Sequence, residues 1–256
     1  MAKRGKRILA PSLSVGAQSA FPDTWPLFVQ AVLEVTVGAC CQMSRAAIVQ
    51  PTWDEDTYTI NLVDYMRIVA QNIPLSLQIQ PQIPVYTKEM KAGKETHKKA
   101  GKIDIQLWDG RWTNYDRIYF AWECKLIVDK AREKKQDRLI PEYISRGIAR
   151  FIDGKYSRDV AEAGMLGYAL AGSGADIAQA INQTMLASRH KCEIWKAKSS
   201  PSATSLHEHL FTESDQLVRD GAVEGFSELF LSNHSRTVTD GRIKLHHAFL
   251  AFPIGV

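Results

Sequence analysis

Residues 118–128 read IYFAWECKLIV, an apolar run interrupted by two charged residues, Glu123 and Lys125. A β-strand has a side-chain period of two, so both charged side chains project from the same face. Charged residues are seldom buried without a partner. The stretch therefore predicts a buried strand whose two charges meet ionised groups from another part of the chain.

The segment before this strand supplies a further carboxylate. Residues 103–107 alternate apolar and polar side chains, which is typical of a half-buried strand, and they include Asp104. Asp109-Gly110 is a turn signal. If the two strands pair as a hairpin, Asp104 and Glu123 point into one pocket.

Two carboxylates beside a lysine favour the chemistry of a hard metal ion. Carboxylates held together raise each other's pKa, and a divalent cation removes this conflict. Mg²⁺, with Mn²⁺ as a substitute, prefers oxygen ligands and keeps several waters, one of which can attack a phosphodiester. The predicted ligands are the carboxylates of Asp104 and Glu123 and the backbone carbonyl oxygen of Cys124. The thiol of Cys124 is expected to point to the other face of the strand. Lys125 would orient or deprotonate the attacking water and offset charge on the phosphate.

Asp104 followed by Glu123-x-Lys125 on consecutive strands, with helices before and after, resembles the PD-(D/E)XK nucleases, the restriction-endonuclease-like superfamily. The resemblance covers about residues 50–187, and its strict motif is three residues long. Ile103 stands where the family name has proline. The resemblance implies an α/β fold with a mixed central β-sheet flanked by helices, an α-βββ-α-β core, and a Mg²⁺-dependent endonuclease activity.

The same superfamily often places another acidic residue on the helix before the first strand. Glu55 is the candidate here. It would act either as a metal ligand or as a base that contacts the ligands without binding the metal itself. The alternative is that Asp54, Glu55 or Asp56 caps the helix, where the helix dipole favours acidic residues.

A helix predicted after the Glu-x-Lys strand carries basic residues. Arg146 and Arg150 are four positions apart, so they share a helix face and could contact phosphates through bidentate hydrogen bonds. Superfamily members often carry an aromatic or basic residue near the site here, which makes Tyr156 a third candidate for substrate binding. The alternative for the arginines is a solvated face, or pairing with Glu142 or Asp153.

The run over residues 143–168 is similar to restriction-type nucleases associated with bacterial and phage defence genes. This similarity implies a role in antiviral defence, with DNA favoured over RNA as the substrate. It also implies a defence-system partner protein and, for cutting both strands, a homodimer. Two other functions stay open: a catalytically silent binding or assembly subunit with a nuclease fold, and a phosphodiesterase acting on small nucleotides.

Periodicity and turn signals predict the order of elements along the chain. We expect a flexible basic arm at residues 1–20 and a single domain over 21–256, whose C-terminal extension, 188–256, has no assigned role. Gly38 is expected to weaken or end the first helix, and Pro81 and Pro84 to interrupt the chain after the first strand, so that the strand does not extend past residue 80. The predicted helices lie at 27–37, 54–71, 141–152 and 176–186, and the strands at 75–80, 103–107, 118–128, 164–171, 193–196 and 244–252.

Composition bounds these expectations. The 256 residues are 45% hydrophobic, which excludes disorder across the whole chain, and 32 Lys plus Arg against 28 Asp plus Glu give a net charge of +4. This charge permits a polyanionic partner, and the lysine-rich segment 88–102 would add salt-dependent affinity for it. The four cysteines include no Cys-x-x-Cys pair, which argues against a zinc ribbon or finger. Cys40 and Cys41 are adjacent, a poor arrangement for a disulfide framework, so we expect a reducing, cytoplasmic compartment. No apolar run reaches the length of a membrane span, so no membrane association is expected.

Other motifs are interpreted as structural. His207-x-His209 and His246-His247 have no third ligand at a suitable spacing, so we expect ordinary surface or core histidines. Ser-His-Asp catalysis lacks a Gly-x-Ser-x-Gly elbow.

Overall fold

The computed structural model describes residues 24–50, 52–85, 101–113, 115, 117–130, 134–157, 159–196, 211–236 and 241–252. The expected arm at 1–20, residues 88–100 of the lysine-rich segment and the His207-x-His209 motif lie outside these ranges.

The described chain contains two helices, three strands, a helical stretch, a strand, a helix and three further strands, in that order. The helices are α1 (Thr24–Arg45), α2 (Glu55–Ala70), α3 (Leu139–Tyr143), α4 (Ala149–Ile152) and α5 (Gly174–Lys196). A π-helical turn, Ile144–Ile148, joins α3 to α4 into one helical stretch, 139–152. The strands are β1 (Leu77–Val85), β2 (Gly101–Asp109), β3 (Phe120–Val128), β4 (Glu162–Ala171), β5 (Val218–Arg219), β6 (Leu229–Ser235) and β7 (Arg242–Ala251).

Within the described residues the strands form one mixed sheet in the order β1-β2-β3-β4-β7-β6-β5. Strands β3, β4 and β7 run parallel to one another, and the other neighbours are antiparallel. The expected α/β class is therefore confirmed. The expected succession of helix, three strands, helical stretch, strand and helix is present between residues 55 and 196.

Apolar side chains cover both faces of the sheet. Helices α1 and α2 pack on the face that presents Trp122 and Cys124, whereas the helical stretch 139–152 and α5 pack on the face that presents Ala121 and Ile127. Alternate residues of β3 thus belong to opposite cores, as a strand of period two requires. Glu123 lies on the second face, together with Ala121 and Ile127.

The first helix is longer than expected, because Gly38 does not end it. Helix α1 continues to Arg45. A Cβ atom at Gly38 would lie 3.1 Å from Cγ1 of Val69 in α2. The glycine therefore allows the two helices to approach closely.

Residues Trp25–Arg45 of α1 are long and apolar enough to cross a membrane, contrary to the expectation that no run reaches that length. However, 61% of the most apolar window is buried inside the protein, and α1 packs against α2. Burial within the domain accounts for the composition of this helix.

Strand β1 continues through Pro81 and Pro84, so the prediction that it does not extend past residue 80 is wrong. Pro81 pairs with Ile105 and Pro84 with Lys102 in the β1–β2 ladder. Strand β1 is an edge of the sheet, where the missing proline N–H groups are tolerated.

The C-terminal region joins the same sheet. The strand expected at 244–252 is confirmed as β7, which lies between β4 and β6. The strand expected at 193–196 is wrong, because α5 extends to Lys196. Once nucleated, a helix gains one hydrogen bond for each residue added, which favours its continuation.

Candidate active site

Strands β2 and β3 separate at the point where Asp104 lies. They pair over Ile105–Leu107, while β2 stays with β1 to Gly101 and β3 stays with β4 to Val128. Oδ2 of Asp104 accepts a hydrogen bond of 2.7 Å from the backbone N–H of Cys124. The Asp104 carboxylate therefore accepts a hydrogen bond from a β3 amide, that of Cys124, which lies beyond the part where β2 and β3 pair.

The ammonium group of Lys125 lies among three carboxylates. Its Nζ is 2.9 Å from Oε1 of Glu55, 3.1 Å from Oε1 of Glu123 and 3.9 Å from Oδ2 of Asp104. Nζ also donates a hydrogen bond of 2.5 Å to the carbonyl oxygen of Cys124. The structure thus brings together all four residues that the sequence nominated for catalysis.

Capping and site roles are divided between neighbours at the start of α2. Asp54 is the N-cap, and its Oδ1 accepts a hydrogen bond of 2.8 Å from the backbone N–H of Thr57. Glu55 is consequently left to pair with Lys125, although the two residues are 70 positions apart. The structure therefore assigns helix capping to Asp54 and places Glu55 in the cluster around Lys125.

Arg150 reaches the same cluster from the helical stretch 139–152. Its Nη1 donates to Oε1 of Glu123 at 2.6 Å and to the hydroxyl oxygen of Tyr156 at 3.0 Å. Its guanidinium also lies 5.6 Å from the centre of the Tyr156 ring. Arg146 is more exposed and forms an ion pair of 3.6 Å with Glu142, which was one of the alternatives for it.

These side chains line an open cleft of about 420 Å³. Three lining residues were not predicted as site residues: Lys102, Glu142 and Lys155. The sequence indicated Lys102 only as part of the lysine-rich segment and Glu142 only as a partner of the arginines. Lys102 ends the lysine-rich segment and Lys155 precedes Tyr156, but no periodicity distinguishes them from other surface charges. The complete lining is Glu55, Lys102, Asp104, Glu123, Lys125, Glu142, Arg146, Arg150, Lys155 and Tyr156.

Burial shapes the electrostatics of the cluster. Burial, reinforced by the charge of Asp104, raises the pKa of Glu123 to about 7 against the opposing effect of Lys125 and Arg150. Burial also raises the pKa of Asp104 and of Glu55. It disfavours charge on Lys125, yet the three carboxylates outweigh this effect and raise the lysine pKa. The centre of the cluster is therefore a positively charged ammonium group.

The oxygen atoms of the cluster suit a hard cation, although within the described ranges no three His, Cys, Asp or Glu side chains are arranged as ligands of a metal ion. Oε2 of Glu123 is buried and has no hydrogen-bond partner within the described part of the chain, which leaves an acceptor for a cation. The backbone carbonyl of Cys124 faces Lys125. The side chain of Cys124 is buried in the core on the other face of the sheet.

No family model, curated protein or solved structure matches this chain. The fold and the site therefore define it as an α/β protein with a mixed seven-stranded sheet and a cleft that combines buried carboxylates with a rim of cationic side chains.

Proposed function

We propose that this protein is a metal-dependent nuclease with a restriction-endonuclease-like fold, which hydrolyses phosphodiester bonds in nucleic acid and prefers DNA to RNA. The observation that carries the proposal is the convergence of Asp104, Glu123 and Glu55 on Lys125 inside one cleft. The α-βββ-α-β order of elements between residues 55 and 196 supports the same assignment.

Asp104, Glu123 and Glu55 would hold Mg²⁺, or Mn²⁺ in its place, with the carbonyl of Cys124 as a further oxygen donor. When bound, such a cation supplies Lewis acidity and a water molecule of lowered pKa. Oε2 of Glu123, which is buried and accepts no hydrogen bond from the residues that the structure describes, supports this role.

The chain's own cations would act on the phosphate. Lys125 is 12% exposed, so its ammonium is held in place to orient the attacking water and offset developing negative charge. Arg150 is positioned by Glu123 and Tyr156, so it enters the reaction already oriented toward the cleft. Arg146 lies on the rim, where it would attract the polyanionic backbone.

We further propose that the protein acts in the cytoplasm as an endonuclease in antiviral defence, as a homodimer and with a partner protein. These proposals depend on the family resemblance and on the mildly basic charge of the chain.

Incubation of the protein with plasmid DNA and Mg²⁺ tests the proposal. We expect the wild type to cut the plasmid and Lys125→Ala and Asp104→Asn to lose about 100-fold or more of the rate. Lys130→Ala and Asp64→Asn are matched controls, because both residues are exposed and neither lines the cleft. Equal cutting by all variants would exclude this cleft as the active site.

Two other results would replace the proposal. DNA binding without cleavage under all metal conditions would favour the silent binding subunit. Hydrolysis of cyclic or other small nucleotides, without hydrolysis of polymers, would favour the small-nucleotide phosphodiesterase.

A further inference from the structure

Five buried side chains form a continuous hydrogen-bonded relay beneath the helical stretch 139–152. Tyr143 Oη lies 2.9 Å from His247 Nδ1, and His247 Nε2 lies 2.7 Å from Ser232 Oγ. Ser232 Oγ is also 2.7 Å from His234 Nε2, and His234 Nδ1 is 3.1 Å from Asp215 Oδ1. Each of the five residues is at most 5% exposed.

The acceptor at one end of the relay constrains the direction of the hydrogen bonds. Burial disfavours charge on Asp215, but hydrogen bonds from His234 and Thr212 lower its pKa to about 2, so its carboxylate can only accept. His234 therefore donates through Nδ1. With a single proton on this ring, Nε2 accepts from the Ser232 hydroxyl. The serine oxygen then accepts from Nε2–H of His247.

The other end of the relay agrees with this direction. With its proton on Nε2, neutral His247 has a bare Nδ1, which accepts from the Tyr143 hydroxyl. In the reverse direction both ring nitrogens of His234 would donate, to Ser232 and to Asp215, and Ser232 would donate to His247. That direction would also leave the Tyr143 hydroxyl hydrogen without an acceptor among the described residues.

Asp215, His234 and Ser232 are connected in the order of a hydrolase triad, but the surroundings differ from those of a nucleophile. Ser232 is 1% exposed and its oxygen is already engaged by His247. A substrate carbonyl could not reach it without displacing the core. The connection is therefore structural, in agreement with the missing nucleophile elbow.

The relay ends beside the cleft. Tyr143 follows Glu142, a cleft residue, and is the last residue of α3 before the π-helical turn that leads to Arg150. The other four members of the relay lie on β6, β7 and the turn before β5. The relay thus connects the C-terminal strands to the helical stretch that carries the cleft arginines.

We propose that this relay, with Ser232 at its centre, holds the helical stretch 139–152 in place, so that Tyr143 is a positioning residue acting through Arg150. The inference is independent of the proposed nuclease activity, because it depends on the hydrogen bonds and the burial of these five side chains. It assigns a role to the region after residue 188.

Nitrogen-15 NMR of the histidine rings in the full chain at neutral pH tests the direction of the relay. We expect His234 to be neutral with its proton on Nδ1, and His247 to be neutral with its proton on Nε2. Any other tautomer, or a doubly protonated His234, would overturn the assignment. Labelling of Ser232 by a fluorophosphonate would do the same, because it would show an accessible nucleophile.

Amide hydrogen exchange and the NMR signals of the Arg150 guanidinium test the positioning role. Ser232→Ala should speed exchange over residues 139–152 by about tenfold or more and shift the Arg150 signals, because two histidine nitrogens lose their partner. Ser235→Ala is the control, since Ser235 is exposed on the same strand.

Tyr143→Phe provides a second test that keeps the buried ring and removes only the hydroxyl group. It should also shift the Arg150 signals while the chain remains folded. If the Arg150 signals in Tyr143→Phe match those of the wild type, Tyr143 does not position the arginine and the proposal fails.

Discussion

The acidic start of α2 shows how neighbouring residues of one type take different tasks. Asp54 turns its carboxylate to the helix N-terminus, whereas Glu55 turns toward Lys125. The difference follows from position, since the N-cap side chain can reach the free amide groups of the first turn.

This division predicts different effects for two substitutions. Glu55→Gln should lower plasmid cleavage by about tenfold or more, because it removes a charge from the cluster around Lys125. Asp54→Ala should lower the midpoint of thermal unfolding and leave the cleavage rate per folded molecule unchanged. Cleavage assays and thermal unfolding of both variants check this, and the reverse pattern would show that Glu55 acts mainly in the helix.

Arg146 allows a second prediction at this scale. Its side chain is 65% exposed on the cleft rim, so a contact with DNA phosphate would be electrostatic and sensitive to salt. Arg146→Ala should weaken DNA binding at low salt and reduce the slope of log Kd against log salt by about one.

Fluorescence anisotropy over a salt series measures this slope. Arg242→Ala serves as the control, because Arg242 is exposed and does not line the cleft. An unchanged slope in Arg146→Ala would show that Arg146 does not contact a DNA phosphate.

At the scale of elements, the contact between β3 and β4 depends on a residue without a side chain. Gly164 lies opposite Trp122 in the parallel ladder. A Cβ atom there would lie 2.0 Å from Cζ3 of the fully buried tryptophan ring. Because residue 164 is a glycine, strand β3, which carries Glu123, can pack the Trp122 ring against β4.

Gly164→Ala should lower the free energy of unfolding by about 2 kcal/mol, because the tryptophan must move within a packed core. Gly221→Ala is the control, since nothing lies within 4 Å of an added Cβ atom there. We expect the control to change stability by about 0.5 kcal/mol or less. Urea unfolding monitored by tryptophan fluorescence measures both, and equal stabilities would contradict the close packing.

At the scale of the whole molecule, one cluster of ionised groups connects distant segments. His246 of β7 lies 3.0 Å from Glu162 of β4 and 3.5 Å from Asp220, and Trp25 of α1 donates to Glu162 at 3.2 Å. Lys244 adds an ion pair of 3.0 Å to Glu162. This cluster should make stability depend on pH.

Burial disfavours charge on His246, but Asp220 and Glu162 outweigh it and raise its pKa above the ordinary 6.5. A raised pKa stabilises the folded state fully below the unfolded value, and this contribution is lost as pH rises through the folded value. The free energy of unfolding should therefore decrease as pH rises above about 6.5. Urea titrations across pH measure it, and this decrease should be reduced in His246→Gln. A decrease of equal size in the variant would assign it to other groups.

Glu162 has the opposite dependence. Burial opposes its ionisation, but His246 and Lys244 lower its pKa to about 2 from the ordinary 4.5. Its contribution is present above 4.5 and is lost as pH falls toward 2. Together, Glu162 and His246 place the range of greatest stability between about pH 4.5 and pH 6.5.

Local patterns determined much of this protein. The period of two in residues 118–128 placed Glu123 and Lys125 on one face, and the turn after residues 103–107 indicated the hairpin that brings Asp104 to them. Backbone sterics impose this periodicity, so it can be read without knowledge of the rest of the chain.

Only the tertiary structure decided which distant groups complete the site. Glu55, at the start of α2, meets Lys125 where β2 and β3 separate, and Arg150 meets Glu123 because the helical stretch packs on the face that presents Glu123. Strand β7 enters the sheet between β4 and β6. These choices come from matching apolar faces and from the need to pair buried charges, and neither requirement has a fixed spacing in sequence.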